Sequence, residues 1–246
     1  MSPPTSRRQE HDGRRLEASF AEALSEARDT MDHRTIVALL SKSCKALPMS
    51  AARMLTTLNT VLRDGGAESN DAVTLRNALC GAGLATQLIA VIREHRTDST
   101  VQVQAFRAVA MIAFKNEVRK GDLLQAGFAE RLMESLKEHI KHAGVQQQGL
   151  VLAVNWGGGN KERIARLMEL GFGEAVVNAL RQHSRQPSVQ QQGLVVAANL
   201  SSNSESRKNR LMALGIGEVS SEGRAKKLLV HIFRCDRTNR PRHEIN

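Results

Sequence analysis

Three histidines, His95, His139 and His183, follow one another at a constant step of 44 residues. Imidazoles in series suggest metal chemistry, but a zinc ion needs its nitrogens about 2.0–2.1 Å away. Residues one unit apart in a stack of helices sit about 8–10 Å from each other. The series therefore reads as a structural one, with each ring at a helix C-terminus facing the negative end of the dipole. Trp156-Gly-Gly-Gly-Asn-Lys161 invites a phosphate-loop reading. That loop requires a preceding strand and a Ser or Thr after the Lys, whereas Glu162 follows here. Gly171-Phe-Gly-Glu174 and Gly215-Ile-Gly-Glu218 lack the strand that a dinucleotide fingerprint needs. Cys44, Cys80 and Cys235 are odd in number and have no zinc spacing, so they read as reduced, buried thiols. No paired carboxylates and no nucleophile elbow stand out. The expectation is a non-enzyme without cofactor or metal.

The amides are more informative. Val145-Gln-Gln-Gln-Gly-Leu150 returns as Val189-Gln-Gln-Gln-Gly-Leu194, and a weaker copy, Val101-Gln-Val-Gln-Ala-Phe106, lies one step of 44 earlier. Asn155 and Asn199 fall ten positions after the opening Val of their copies. An earlier, divergent copy starting at Met49 places Asn59 there, and the copy at Val101 places Met111. Asn is mildly unfavourable inside a helix, so its return at one register position asks for a reason. It could bond a neighbouring helix end or loop. It could also read a peptide unit, since an amide offers both a donor and an acceptor. Gln104, Gln148 and Gln192 lie seven positions earlier, about two turns back on the same face.

These blocks imply the elements that carry them. Gly83, Gly127, Gly171 and Gly215 keep the same step. Each follows a Leu-rich helix end, where Gly accepts the left-handed conformation past the last turn. A second helix then begins, with apolar residues at helical spacing such as Leu132, Met133 and Leu136. It ends at the repeated His. A turn follows, for example Ser184-Arg-Gln-Pro-Ser188, and then the Val-Gln helix. A short charged helix, as in Asn160 to Leu167, returns the chain to the next Gly. A period of this length means a helical unit stacked on copies of itself, which works through the long surface it exposes.

Three helices per unit at this spacing resemble the armadillo repeat family, from about Met49 to Gly217. In that family the third helix reads roughly V-Q-x-x-A-L-W-A-L-x-N-I, and Asn155, Asn199 and Asn59 fall on its Asn. The resemblance implies a right-handed, all-α solenoid whose third helices line a concave groove, with those Asn side chains bonding the backbone of an extended peptide. The family's groove Trp is replaced here by Leu55, Arg107, Val151 and Val195. A ligand unlike the basic signals read by the family's nuclear import adaptors is the consequence. On this reading the binding residues are Asn59, Asn155 and Asn199, with Gln104, Gln148 and Gln192 beside them. Arg107, Met111, Val151 and Val195 complete the groove register.

Composition agrees with packed helices: aromatics are 3% of 246 residues, with one Trp and no Tyr. Net charge is +10, concentrated at the ends, as in Arg14 and Arg15 or Arg234 and Arg237. The scarcity of stacking aromatics argues against direct nucleic-acid binding. The charge and Arg107 point to a protein or extended peptide partner that is neutral to acidic. The start of the chain has no apolar signal-peptide core, and no apolar run approaches the ~20 residues of a membrane span. A cytoplasmic location is expected, with the nucleus as the alternative.

The expected layout is a disordered basic N-terminus over 1–15, a solenoid with an N-terminal helical cap over 16–217, and a basic tail over 218–246. In the tail the repeat register dissolves, either as a cap built on Leu228–Phe233 or as a truncated or alternative end. Asp64–Asp71 reads as a loop insertion, because Met49 to Val101 is longer than one period. The leading function is an interaction scaffold or adaptor. The competing readings are a regulatory segment of a larger multidomain protein and a nucleic-acid or anionic-membrane tether using the basic ends.

Overall fold

The computed structural model describes residues 4–30, 33–43, 45–63, 69–202 and 204–219, and every regular element among them is a helix. The chain opens with α1 (Pro4–Thr30), α2 (His33–Ser43) and α3 (Pro48–Arg63). Three complete units follow: α4 (Asn70–Gly81), α5 (Leu84–Glu94) and α6 (Ser99–Ala113); α7 (Glu117–Gln125), α8 (Phe128–Glu138) and α9 (Ala143–Gly157); α10 (Lys161–Glu169), α11 (Phe172–Gln182) and α12 (Pro187–Ser201). A further short helix, α13 (Glu205–Ala213), begins the next unit. The third helices α3, α6, α9 and α12 pack each on the next, and the second helices α2, α5, α8 and α11 do likewise. The result is an all-helical solenoid.

The repeated residues shape every unit in the same way. Gly83, Gly127, Gly171 and Gly215 have φ of 101°, 76°, 89° and 82°, the left-handed turn that separates first helix from second. Asn116, Asn160 and Ser204 cap the short helices, accepting from Arg119, Arg163 and Arg207 backbone N–H. Gly149 stands where α9 crosses α8: a Cβ there would lie 2.6 Å from a Leu136 methyl. The core is one continuous cluster of Leu, Val, Ala and Met. Trp156 is fully buried in it, edge-on to Phe128 at 5.3 Å, and its Nε1 donates to the Lys120 carbonyl at 3.0 Å.

Two expectations are corrected or bounded here. The start of the chain was expected to be disordered up to residue 15, but α1 is helical from Pro4. Its Gly13 lies against Ser50, and Glu17 pairs with Arg53 at 3.3 Å. Both contacts advance in the same direction, so α1 runs parallel to α3. It stands where the third helix of a preceding unit would, with Phe20 and Leu24 buried. The tail beyond residue 219, including Leu228–Phe233, lies outside the described residues, as does most of the expected insertion at 64–68.

Candidate functional site

The amide register divides into residues spent inside the fold and residues left to solvent. Asn59 was expected in the groove but is buried, 7% exposed. Its Nδ2 donates to the Gln104 carbonyl at 2.9 Å and to Gln104 Oε1 at 3.1 Å. This pair fastens α3 to α6, so neither Asn59 nor the half-buried Gln104 is available in the way expected of a peptide reader. Leu55, on the register position of the lost Trp, is fully buried at the end where α1 packs. Asn155 and Asn199, by contrast, are exposed. Neither side chain makes a hydrogen bond among the described residues. They occupy one register position on the neighbouring helices α9 and α12. Gln148 and Gln192 are half-buried beside them, Val151 is half-buried and Val195 is 39% exposed. On α6 the register carries exposed Arg107 and half-buried Met111.

The reason that Val-Gln recurs lies elsewhere. Gln102, Gln146 and Gln190 follow the opening Val directly. The Nε2 of Gln102 donates to the carbonyls of Ile92 and His95 at 2.9 and 3.0 Å. Gln146 does the same to Leu136 and His139 at 2.8 and 3.0 Å. Gln190 does so to Leu180 and His183 at 2.7 and 3.2 Å. Each amide thus satisfies one carbonyl orphaned at the end of the second helix, that of Ile92, Leu136 or Leu180. It adds a second donor to the His carbonyl, which already accepts from the backbone N–H of Asp98, His142 or Gln186. Sequence reasoning passed over these residues, although each lies seven positions after its His.

The histidines close the second helices as expected, and they also tie units together. His139 Nε2 bonds the Arg96 carbonyl at 2.7 Å, and His183 Nε2 bonds the Ile140 carbonyl at 2.7 Å. Among the described residues no group of His, Cys, Asp or Glu could hold a metal ion. Gly158 and Gly159 form an interhelix turn ahead of the Asn160 cap, so the phosphate-loop reading has no strand to rest on. Cys80 is buried, and burial, with smaller effects from nearby charges, pushes its thiol up to about 11. That is the pKa of an inert thiol rather than a nucleophile.

A second set of ties runs along the short helices. Arg166 Nε donates to Glu130 at 2.9 Å, and one period on, Arg210 donates to Glu174 at 2.9 Å. Partial burial is the largest single influence and pushes both carboxyls up, but the guanidinium and the backbone N–H bonded to each together outweigh it, leaving them below the ordinary value. Glu117, bonded to Lys120 and Arg163, is lowered as well.

The architecture is that of an armadillo-like repeat protein. The designed armadillo repeat protein solved in complex with the peptide (KR)4 is similar in structure, with a TM-score of 0.67 and 18% identity over 94% of this chain and 95% of that one. Computationally designed armadillo repeat proteins for modular peptide recognition give 0.64 and 17% over 89% and 92%. An engineered protein from a structural genomics consortium gives 0.66 and 22% over 96% and 95%. By sequence, no family model and no curated protein matches. Among the described residues no single helix is long and apolar enough to cross a membrane.

Proposed function

We propose that this chain is a non-enzymatic scaffold that holds an extended segment of a partner protein along the concave side, across α9 and α12. The observation that carries the reading is the pair Asn155 and Asn199: exposed amides with no bond among the described residues, in equal register on adjacent helices. Stacked helices set such residues about 10 Å apart. An extended chain advances about 3.3 Å per residue, so every third peptide unit of the ligand meets an Asn. Backbone bonds of this kind give affinity, while side-chain pockets and charge give specificity.

The ligand is neutral to acidic on this reading. Arg107 is exposed on the adjoining third helix and the chain carries +10. The designed relative solved with (KR)4 holds a basic peptide, but here no Trp stands at the family's groove position to receive a lysine or arginine stem. Two of the structural relatives are peptide recognisers by their own description, which supports a peptide as the ligand class. The test is the double change Asn155→Ala with Asn199→Ala. Capture of a pulldown-identified partner should weaken at least tenfold, about 1.4 kcal/mol, with the far-ultraviolet circular dichroism unchanged. Equal binding by the double variant would overturn the groove reading.

A further inference from the structure

We propose that the cleft between α5 and α8 is a second docking site, separate from the Asn155–Asn199 register, and that it takes an acidic peptide segment. The cleft encloses about 350 Å³ between two second helices, with Gln102 of α6 against it. Its walls carry four cations, Arg93, Arg96, Arg131 and Lys137, and two carboxylates, Glu134 and Glu138. Glu134 is taken by Arg131 at 2.6 Å, and Arg93 pairs with its neighbour Glu94 at 2.8 Å. Arg96 and Lys137 form no ion pair among the described residues, although Glu174 of the next unit feels the Lys137 charge.

Two buried polar atoms lie against this cleft; the unpartnered oxygen of Gln102 recurs one unit on at Gln146, whereas the hydroxyl of Ser135 has no such counterpart. Ser135 is 3% exposed, yet its Oγ has no hydrogen-bond partner. A helical Ser ordinarily bonds back to the carbonyl one turn earlier. Gln102 is fully buried; its Nε2 is spent on the helix end, and its Oε1 is unpartnered. An unmet buried polar atom is costly, and the fold has an apolar solution at hand. Val91 and Ala179 hold the Ser135 register position in the neighbouring units, both fully buried. Ile140 stands at the register of Arg96. At those two positions the α8–α11 side is apolar where the α5–α8 cleft carries a hydroxyl and a cation, although Lys137 and Arg181 repeat the register of Arg93 and Lys137.

The unmet atoms match a peptide better than a small anion. The Ser135 hydroxyl can donate to a peptide carbonyl, and Gln102 Oε1 can accept from a peptide N–H. Arg96 and Lys137 supply charge-assisted bonds for Asp or Glu side chains. A peptide offers a carbonyl, an N–H and a carboxylate spaced along one chain, whereas phosphate offers only oxygens and their hydroxyls at a single centre.

The test is a nuclear magnetic resonance titration of the full, isotope-labelled chain. The probes are acetyl-(Glu-Ala)3-amide, acetyl-(Lys-Ala)3-amide and inorganic phosphate. The acidic peptide should shift amide resonances over 92–102 and 131–138, and the lysine peptide should not. Arg96→Glu with Lys137→Glu should weaken the acidic probe at least tenfold. Ser135→Ala, which installs the side chain found at Ala179, should weaken it about threefold through one lost hydrogen bond. Asn155→Ala with Asn199→Ala should leave it unchanged, which separates this site from the groove. Absence of shifts in the cleft at probe concentrations up to about 1 mM would overturn the proposal. So would equal shifts from phosphate, indifference to the charge reversal, or loss of binding in the Asn double variant.

Discussion

Gln146 illustrates what a single residue contributes. One amide closes the carbonyls of Leu136 and His139 at the end of α8. Replacing it with Leu leaves both carbonyls without that donor, and stability should fall by about 1–3 kcal/mol. Gln147→Leu on the same helix should change it by no more than about 0.5 kcal/mol; urea titrations of the two variants give the comparison. The sequence drew attention to the amides but not to their division of labour. Gln146 and Gln148 differ by two positions in one repeated block. Only the packing of α9 against the end of α8 decides which of them points at an orphaned carbonyl. Asn59 was similarly illegible: its register is that of Asn155, and Gln192 stands to Asn155 as Gln104 stands to Asn59, yet of the two only Asn59 donates to the glutamine of the next unit. Gly193 carries a further expectation. A Cβ there would come within 2.6 Å of a Leu180 methyl and 2.9 Å of Leu180 Cγ. Gly193→Ala gains about 1 kcal/mol of helix propensity, but overpacking at a branched carbon costs about 1–3 kcal/mol. The melting temperature should therefore drop.

Elements show the same mixture. The Gly turns and the three-helix unit were legible because the 44-residue register repeats the left-handed position, the apolar face and the cap together. The first half of α1 was not, since no apolar periodicity precedes Leu16; its helix rests on packing beside α3 at Gly13 and Glu17. The short helices add a pH-dependent contribution. Glu130 and Glu174 have folded pKa values below the ordinary 4.5. Their stabilising contribution is complete above the unfolded value and is lost as pH falls through the lower, folded one. The melting temperature should decline on acidification from about pH 6 to about pH 3, and Glu130→Gln with Glu174→Gln should flatten that decline. A variant with the same acid slope as the parent would assign the slope to other carboxylates.

At the scale of the whole molecule, each unit touches only its neighbours, so damage should start locally. Leu150 is fully buried between layers. Leu150→Asp places an unpaired charge there and should cost more than ~4 kcal/mol, the extreme of single substitutions. Hydrogen exchange should show protection lost first in α8, α9 and α12, with α2 and α3 retained longest.

The seams between layers are fastened on different sides. At the α3–α6 seam the bond runs between third helices, from Asn59 to Gln104. At the later seams the ion pairs tie short helices to second helices, Arg166 to Glu130 and Arg210 to Glu174, while Asn155 and Asn199 stay loose. The solenoid is in effect a hand fan: its ribs are riveted along one rim, and among the described residues the other rim is clasped at its early seams, by Glu17 with Arg53 and by Asn59 with Gln104. The unclasped rim is held by apolar packing, which is non-directional and sets no single register as a hydrogen bond would. The spacing of the exposed asparagines can then follow the pitch of whatever lies across them.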